Sequence, residues 1–187
     1  KRQTQIINKA TRLFLKKGYA QTSMRDISSA TGIDISNLYY FIKNKEEILF
    51  LVFDMLHKPA LEVFEKHGIM HMDDPVEQLK AVINGLIASG YNYESEILLL
   101  YRESNSLPKH MLKSILERES LVVARLEEIL KKGKARGVFQ FGDAAFTANM
   151  LVYQLSLYPL RKWNMRKYSK KELIGLMQKQ ILKMIMT

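Results

Sequence analysis

Apolar residues recur along this chain at the spacing of an α-helix. In the stretch from Gln5 to Lys17 they occupy every third or fourth position and form one stripe, made of Ile6, Ile7, Ala10, Leu13 and Phe14. Comparable stripes follow one another toward the C-terminus, and helix breakers are sparse, with 9 Gly and 4 Pro. The pattern predicts an all-α protein of about nine helices.

Capping residues predict where several of these helices begin. Four polar residues stand just before an apolar stripe and are able to accept from the free N–H groups of a first helical turn: Ser23, Asn44, Asp74 and Ser169. Pro59 lies inside the fourth predicted helix, where its ring removes a hydrogen bond, so we expect a kink or break near His57. Asp143 starts a helix that the apolar pattern carries to Leu160.

The stretch Thr22–Leu49 has the pattern of a helix-turn-helix unit. Its first helix ends at Gly32, because glycine tolerates the left-handed conformation that a sharp turn needs. Its second helix is short, is capped by Asp34 or Ser36, and directs Leu38 inward. Two helices joined by three or four residues that include a glycine form the unit whose second helix enters the DNA major groove.

Charge is unevenly distributed along the chain, whose formal net charge is +10. Residues 1–50 carry nine Lys and Arg against four Asp and Glu, residues 51–160 carry twelve against fourteen, and residues 161–187 carry eight against one. A basic first segment is what contact with DNA phosphates requires. The basic C-terminal segment has no helix-turn-helix pattern beside it.

Composition limits the remaining classes of protein. With 187 residues, 47% hydrophobic and 26% charged, the chain is an ordinary globular protein. The absence of cysteine excludes disulfides, thiolate metal sites and a cysteine nucleophile, and it fits the reducing cytoplasm, where we expect the protein to act. The uncharged run Ala144–Leu160 is too short and too polar to span a membrane, so no membrane partner is expected.

A set of residues in the first fifty positions agrees in type and spacing with one known family. The set consists of Ala10, Phe14, Gly18, Tyr19, Thr22, Arg25, Ile27, Gly32, Leu38, Tyr39, Tyr40 and the run from Lys43 to Leu49. It resembles the N-terminal signature of the TetR-type transcriptional repressors. The family commonly has histidine and phenylalanine after the paired aromatics, where this chain has Phe41 and Ile42, so an imidazole contact to phosphate is missing. The resemblance implies a DNA-binding domain at residues 1–48 and a ligand-binding and dimerisation domain at residues 49–187.

The resemblance also implies roles for single residues of this DNA-binding domain, the head (residues 1–48). Thr22, Tyr39 and Lys45 would contact phosphates. Near base edges or the groove wall would lie Arg25, Ile35, Ser36, Asn37 and Tyr40, and Ser23 completes the predicted DNA-binding set. A bidentate contact from an arginine to guanine discriminates by ~1–3 kcal/mol. Alternatives stay open for some members: spacing from Leu38 turns Ile35 toward the core, and paired tyrosines or lysines occur in many helical bundles as core or solvated residues.

The last two predicted helices carry more apolar surface than one chain needs. In the helix that starts at Asp143, apolar residues are spaced four, three, four and three positions apart, which is the pattern of a helix-packing seam. These residues are Phe146, Met150, Tyr153, Leu157 and Leu160. Such helices pair in TetR-type proteins, so we expect a homodimer with a four-helix interface formed by Phe146, Met150, Tyr153, Leu157, Leu173, Met177 and Ile181.

The helical core after residue 50 is the expected site of a small-molecule effector, with no other cofactor. Periodicity nominates Phe53, Leu86, Tyr91, Leu99, Tyr101, Met111 and Tyr153 as its lining. Two short stretches, Leu100–Ser104 and Leu160–Asn164, are similar to TetR-type regulators that sense fatty acyl-CoA. Arg161, Lys162, Arg166 and Lys167 would then neutralise nucleotide phosphates, although such clusters are more often solvated. A drug-like molecule or an aromatic cation is the alternative effector.

Two other classes of function have weaker support in the sequence. His67 and His71 are four residues apart and precede Asp73 and Asp74, so on a helix both imidazoles would face one metal ion. A glycine between them favours a loop, and no glutamate stands between them as a general base, so neither a metal site nor enzymatic activity is expected. The second class is a helical adaptor without DNA binding, for which the only indication is Phe41 in place of histidine.

Overall fold

Ten α-helices and two short 3-10 helices form the part of the chain that the computed structural model describes, residues 2–186 without the side chains of Lys66 and His67. The α-helices are α1 Arg2–Lys17, α2 Met24–Thr31, α3 Ile35–Phe41, α4 Lys45–Glu65, α5 Pro75–Asn92, α6 Glu94–Glu103, α7 Lys109–Ala135, α8 Ala144–Leu155, α9 Leu157–Met165 and α10 Lys170–Ile185. The 3-10 helices are Lys66–His71 and Ser104–Ser106. No β-strand occurs in these described residues, and the predicted all-α fold is confirmed.

The tenth helix arises because the predicted helix from Asp143 to Leu160 is divided at Ser156. The Ser156 hydroxyl donates to the Val152 carbonyl oxygen at 3.2 Å and closes the end of α8. The division places Pro159 in the first turn of α9, where a missing N–H costs no helical hydrogen bond. Sequence periodicity continued across this point and therefore predicted a single helix.

Helix α4 continues through Pro59 to Glu65, so of the kink or break predicted near His57 the break is wrong, and the kink stays a prediction. Proline removes one backbone hydrogen bond inside a helix and crowds the preceding turn. Apolar residues on both sides of it, Leu56 and Phe64, are buried and keep each half of the helix in place.

The described chain consists of two compact units. Unit 1 comprises Lys1–Leu56 together with Ser95–Leu116. In it α1 packs on α2 and α2 packs on α3, around large, fully buried side chains that include Phe14, Ile27, Leu38, Ile48, Phe53, Leu99 and Ile115. The predicted domain boundary after residue 48 falls inside α4, and the two-domain division at that point stays a prediction.

Unit 2 comprises His57–Glu94 and Glu117–Thr187. Helix α5 packs against α8, α9 and α10. Its core includes Leu79, Val82, Ile83, Leu126, Ile129, Leu151, Leu173 and Ile181. Gly133 is required by close packing, because a Cβ atom there would lie 1.9 Å from a ring carbon of Phe139.

Candidate nucleic-acid interface

A reciprocal cap fixes the start of α2. The Ser23 hydroxyl oxygen accepts from the Asp26 backbone N–H at 3.1 Å, while an Asp26 carboxylate oxygen accepts from the Ser23 backbone N–H at 2.7 Å and from its hydroxyl at 2.6 Å. The Lys17 ammonium lies 2.9 Å from the other carboxylate oxygen. Hydrogen bonds from Ser23, followed by that from Lys17, hold the pKa of Asp26 well below its usual range. Ser23 is therefore exposed but committed to the cap.

The turn between α2 and α3 has the geometry that the sequence predicted. Gly32 has φ +68°, in the left-handed region, and its backbone N–H donates to the Ser28 carbonyl oxygen at 3.0 Å. The Ser28 hydroxyl donates to the Ile33 carbonyl oxygen at 2.6 Å. An Asp34 carboxylate oxygen accepts from the Ser36 backbone N–H at 2.9 Å, so Asp34 is the residue that caps α3. These bonds fix the angle between α2 and α3.

Helix α3 has one buried side and one strongly exposed side. Leu38 is buried, as is Ile42 just beyond the helix, and both belong to the core of unit 1. Tyr39 and Tyr40 are 50% and 85% exposed, so the alternative that they are core aromatics of a bundle does not hold. Ser36 and Asn37 are exposed as well. The outer face of α3 is thus formed by two tyrosines and two small polar side chains.

Arg25 and Ile35 differ in how far they extend from the head. Arg25 is exposed on α2, where its guanidinium is able to reach a ligand. Ile35 is half-buried and packs against the core of unit 1, in agreement with its spacing from Leu38. Only the remaining edge of Ile35 is available for contact with DNA.

Thr22 does not belong to the exposed surface. Its side chain is buried, and its hydroxyl donates to the Gly18 carbonyl oxygen at 2.7 Å while its backbone N–H donates to the Tyr19 carbonyl oxygen at 3.2 Å. Both of its donors are therefore used inside the turn before α2. Thr22 therefore stabilises the turn, and the phosphate contact assigned to it stays a prediction.

Lys45 connects two parts of the head that are distant in sequence. Its ammonium donates to the Tyr19 carbonyl oxygen at 2.8 Å and to the Ala20 carbonyl oxygen at 3.4 Å, and it lies 4.3 Å from the centre of the Tyr19 ring. Burial, followed by the nearby Glu46 carboxylate, raises the pKa of the Tyr19 hydroxyl. An ammonium has three protons, so Lys45 keeps capacity for a phosphate contact. Sequence reasoning missed its structural role.

Unit 2 contains a cavity and a groove among its described residues. One, of about 540 Å³, is lined by α4 after residue 58, the following 3-10 segment and one face of α5: Pro59, Glu62, Val63, Ile69, Met72, Ala81, Asn84, Gly85, Ala88, Ser89, Asn92 and Tyr93. Gly85 lets α4 approach closely, since a Cβ there would lie 2.4 Å from a Val63 methyl carbon. The other, of about 370 Å³, is a groove along α8, α9 and α10 lined by Tyr153, Gln154, Leu157, Leu160, Arg161, Met177 and Gln180.

The residues predicted to line an effector pocket do not come together in these cavities. Of the seven, only Tyr153 lines either one. Phe53, Leu99 and Met111 belong to the core of unit 1 or pack against it, and Tyr101 is exposed. Leu86 packs on the core of unit 2, and Tyr91 stacks on Tyr158 with 3.8 Å between ring centres. The reason is that periodicity finds apolar positions without distinguishing a cavity wall from a filled core.

The predicted dimer surface divides into an exposed part and a buried part. Phe146 and Tyr153 on α8 are 69% and 61% exposed, and Met150 between them is exposed as well. Leu157 and Met177 are half-buried at the groove. Leu173 and Ile181 are buried in the core of unit 2, so their assignment to an interface stays a prediction, and the exposed apolar residues of α10 are Leu176 and Met184. The apolar pattern identified α10 as amphipathic, but it did not show which of its apolar residues face the core of unit 2.

The basic segment after α8 is partly paired within the chain. The Lys162 ammonium lies 2.8 Å from a Glu94 carboxylate oxygen, a contact that raises the pKa of Lys162. The Arg161 guanidinium lies 5.0 Å from the centre of the exposed Trp163 ring. Arg166 and Lys167 are exposed.

Neither a metal-ligating cluster nor a membrane-spanning helix occurs in the part of the chain that the structure describes. The side chain of His67 lies outside the described residues, so the pair it would form with His71 is not placed. Asp73 is held by Arg136, whose guanidinium donates to its carbonyl oxygen and lies 3.8 Å from its carboxylate.

Two family models match separate parts of the chain. The model of bacterial regulatory proteins of the tetR family matches residues 6–52, and the model of the tetracyclin repressor-like C-terminal domain matches residues 72–156. The fatty acid metabolism regulator protein of Bacillus subtilis (strain 168) is 26% identical over 80% of this chain and 76% of its own length.

Solved structures share the fold over nearly the whole chain. PfmR of Thermus thermophilus, a TetR family transcriptional regulator, has a TM-score of 0.85 at 23% identity and covers 95% of this chain and 97% of its own. AibR in complex with isovaleryl coenzyme A and operator DNA has a TM-score of 0.78 at 22% identity and covers 98% and 97%. Because the family models match both the helix-turn-helix head and the helical region after it, this chain belongs to the TetR family of DNA-binding transcriptional regulators.

Proposed function

We propose that this protein is a ligand-released repressor that binds a pseudo-palindromic operator as a homodimer. The observation that carries the proposal is the outer face of α3, where Tyr39 and Tyr40 expose their rings on a helix whose other side is fixed in the core. Exposed aromatic rings do not stabilise the head, so they are available for a partner. Their place on the second helix of a helix-turn-helix unit makes the DNA major groove that partner.

The residues proposed for DNA follow from exposure and charge. Arg25, Ser36, Asn37 and Tyr40 would meet base edges, and Tyr39 and Lys45 would meet phosphates. Lys43 is exposed two residues beyond the end of α3 and joins the phosphate set. Backbone contacts position the protein, and base contacts specify the sequence.

A homodimer is supported by the exposed stripe of Phe146, Met150 and Tyr153, together with the groove beside it. Helix α8 carries no charged residue, and an apolar surface of this kind is typical of subunit interfaces. Two-fold symmetry would present two copies of α3 to half-sites separated by about one turn of DNA.

For the effector we propose a fatty acyl-CoA. The support is that AibR is named with isovaleryl coenzyme A and operator DNA, and that the Bacillus subtilis relative is named for fatty acid metabolism. The exposed cations Arg161, Arg166 and Lys167 would suit its phosphates. Release from DNA by a hundredfold requires ~2.7 kcal/mol of coupling between the two ligands.

Selection from random duplex DNA by the purified protein tests the whole proposal. We expect a palindromic motif that is lost when a mixture of medium-chain and long-chain acyl-CoA is added. In a parallel selection, Arg25→Ala should relax the preference at one base pair of each half-site. A motif that persists in saturating acyl-CoA would reject the effector class, and the absence of any enriched motif would reject the repressor.

A further inference from the structure

The outward side of α3 is centred on one residue. Each residue of an α-helix is turned by about 100° from the previous one, so the second residue after Leu38 points about 200° away from it. That residue is Tyr40, and at 85% it is the most exposed large apolar side chain among the described residues. Ser36 is one turn earlier on the same side, and Tyr39 lies at the flank. If α3 enters the major groove, Tyr40 is the side chain directed at the base pairs.

Phe41 holds the Tyr40 ring from one side. The two rings meet edge to face, with 5.3 Å between their centres and 89° between their planes. This is a favourable aromatic arrangement, and it limits the rotation of an otherwise exposed ring. Phe41 itself is exposed at its outer edge, so the pair forms one apolar surface at the end of α3.

The groove contains one apolar group that such a surface fits. Base edges in the major groove present hydrogen-bond donors and acceptors, and only thymine adds a methyl group at C5. Helix α3 carries no charged residue between Ile35 and Phe41, so its part of the recognition has to come from polar and apolar contacts. We propose that the Tyr40 ring contacts the 5-methyl group of a thymine in each operator half-site, with Phe41 as a positioning residue. This inference rests on the proposed function, in which α3 reads the operator.

A contact from the Tyr40 hydroxyl to a phosphate is the competing arrangement. Phosphates line the edges of the groove, so a phosphate contact is expected from the flank of the helix, where Tyr39 lies, together with exposed Lys43. The central position of Tyr40 therefore favours the base methyl.

Single replacements of thymine by deoxyuridine in the selected operator test the contact, because uracil lacks only the methyl group. With the wild-type protein, one thymine in each half-site should be sensitive, and its replacement should weaken binding about fourfold per half-site, the value for one buried carbon of this size. Tyr40→Phe should keep this sensitivity, since it keeps the ring. Tyr40→Ala should bind thymine and uracil operators equally.

Two further variants separate the contact from general effects. Phe41→Ala should reduce the ratio of thymine-operator affinity to uracil-operator affinity. Phe41→Tyr keeps an aromatic ring at this position and should keep the wild-type ratio. Tyr39→Ala is the matched control on the same helix: it should weaken binding to both operators and leave the ratio unchanged. The exposure of all three side chains makes loss of folding unexpected, which circular dichroism checks.

The results distinguish this inference from the proposed function. Equal binding of thymine and uracil at every position by the wild type would overturn the inference, as would an unchanged ratio in Tyr40→Ala. If Tyr40→Phe weakens binding to all sequences by the same factor as Tyr40→Ala, the hydroxyl rather than the ring makes the contact, as expected for a phosphate contact, and the inference is overturned. If no operator can be selected, the proposed function fails first, before any uracil is introduced.

Discussion

The Nε2 atom of His57 lies 2.9 Å from Oε2 of Glu119, and this hydrogen bond joins α4 to α7 within unit 2. His57 is the first residue of unit 2 on α4, and Glu119 is the third residue of unit 2 on α7. Each long helix passes from unit 1 into unit 2 at these positions. The imidazole is 2% exposed, so the bond is shielded from water on the histidine side.

Removing the acceptor of this bond should destabilise the protein. Glu119→Ala is expected to lower the free energy of unfolding by ~1–3 kcal/mol, because the buried imidazole of His57 loses one of its hydrogen bonds. Glu119→Gln keeps an acceptor oxygen and should cost less. Urea unfolding followed by circular dichroism measures both. Glu128→Ala on the same helix removes only an exposed pair with Arg125 and should change the free energy by less than about 0.5 kcal/mol.

Lys45 and Lys43 should respond differently to removal. Lys45→Ala is expected to lower stability by about 1 kcal/mol, because its ammonium bonds the Tyr19 and Ala20 carbonyl oxygens, and to weaken binding to all DNA sequences. Lys43→Ala should leave stability unchanged and lower the slope of log affinity against log salt by about one. Urea unfolding and DNA titrations at several salt concentrations separate the two. Equal stability loss in both variants would contradict the assigned roles.

The exposed stripe on α8 should determine the oligomeric state. Phe146→Asp is expected to convert a dimer into a monomer, because it places a charge in an apolar interface, and to weaken operator binding as the two half-sites lose their linkage. Sedimentation velocity measures the state directly. Leu121→Asp is the control, because Leu121 is a similarly exposed apolar side chain on α7. A dimer that survives Phe146→Asp would place the interface elsewhere.

The cap of α2 should make stability depend on pH in the acid range. The pKa of Asp26 is lowered in the folded state, so its carboxylate stabilises the fold above its unfolded pKa near 4, and this contribution is lost as the pH falls further. Asp26→Ala should therefore melt below the wild type at pH 7, with the difference shrinking below about pH 4. Ser23→Ala should lose part of the same pH-dependent contribution. A difference that stayed constant down to about pH 2.5 would argue against the cap as its source.

Local chemistry made the head predictable from its sequence. A serine followed three residues later by a carboxylate defines the cap of α2, and a glycine before an isoleucine defines the turn, because both depend on atoms within a few residues. Thr22 and Lys45 show what local sequence cannot predict. The hydroxyl of Thr22 turns inward to Gly18, and Lys45 reaches a carbonyl 26 residues away, so only the folded head decides whether either side chain is free for DNA.

The larger helical region was less predictable for a physical reason. An apolar stripe shows that a helix has an inner side, but not which neighbour covers it. Leu173 and Ile181 face the core of their own unit, whereas Leu176 and Met184 on the same helix remain exposed. The division at Ser156 depends equally on packing, because the apolar pattern on both sides of it is continuous.

The absence of charge on α3 has a consequence for how the protein finds its site. Long-range attraction to DNA would come from the lysines and arginines around α3, which cannot distinguish one sequence from another. Discrimination by α3 would come from short-range polar and methyl contacts that mobile ions do not screen. Changing the salt concentration should then alter the residence time on all DNA alike, while the preference of α3 for its operator persists, so scanning and recognition would be set by different residues.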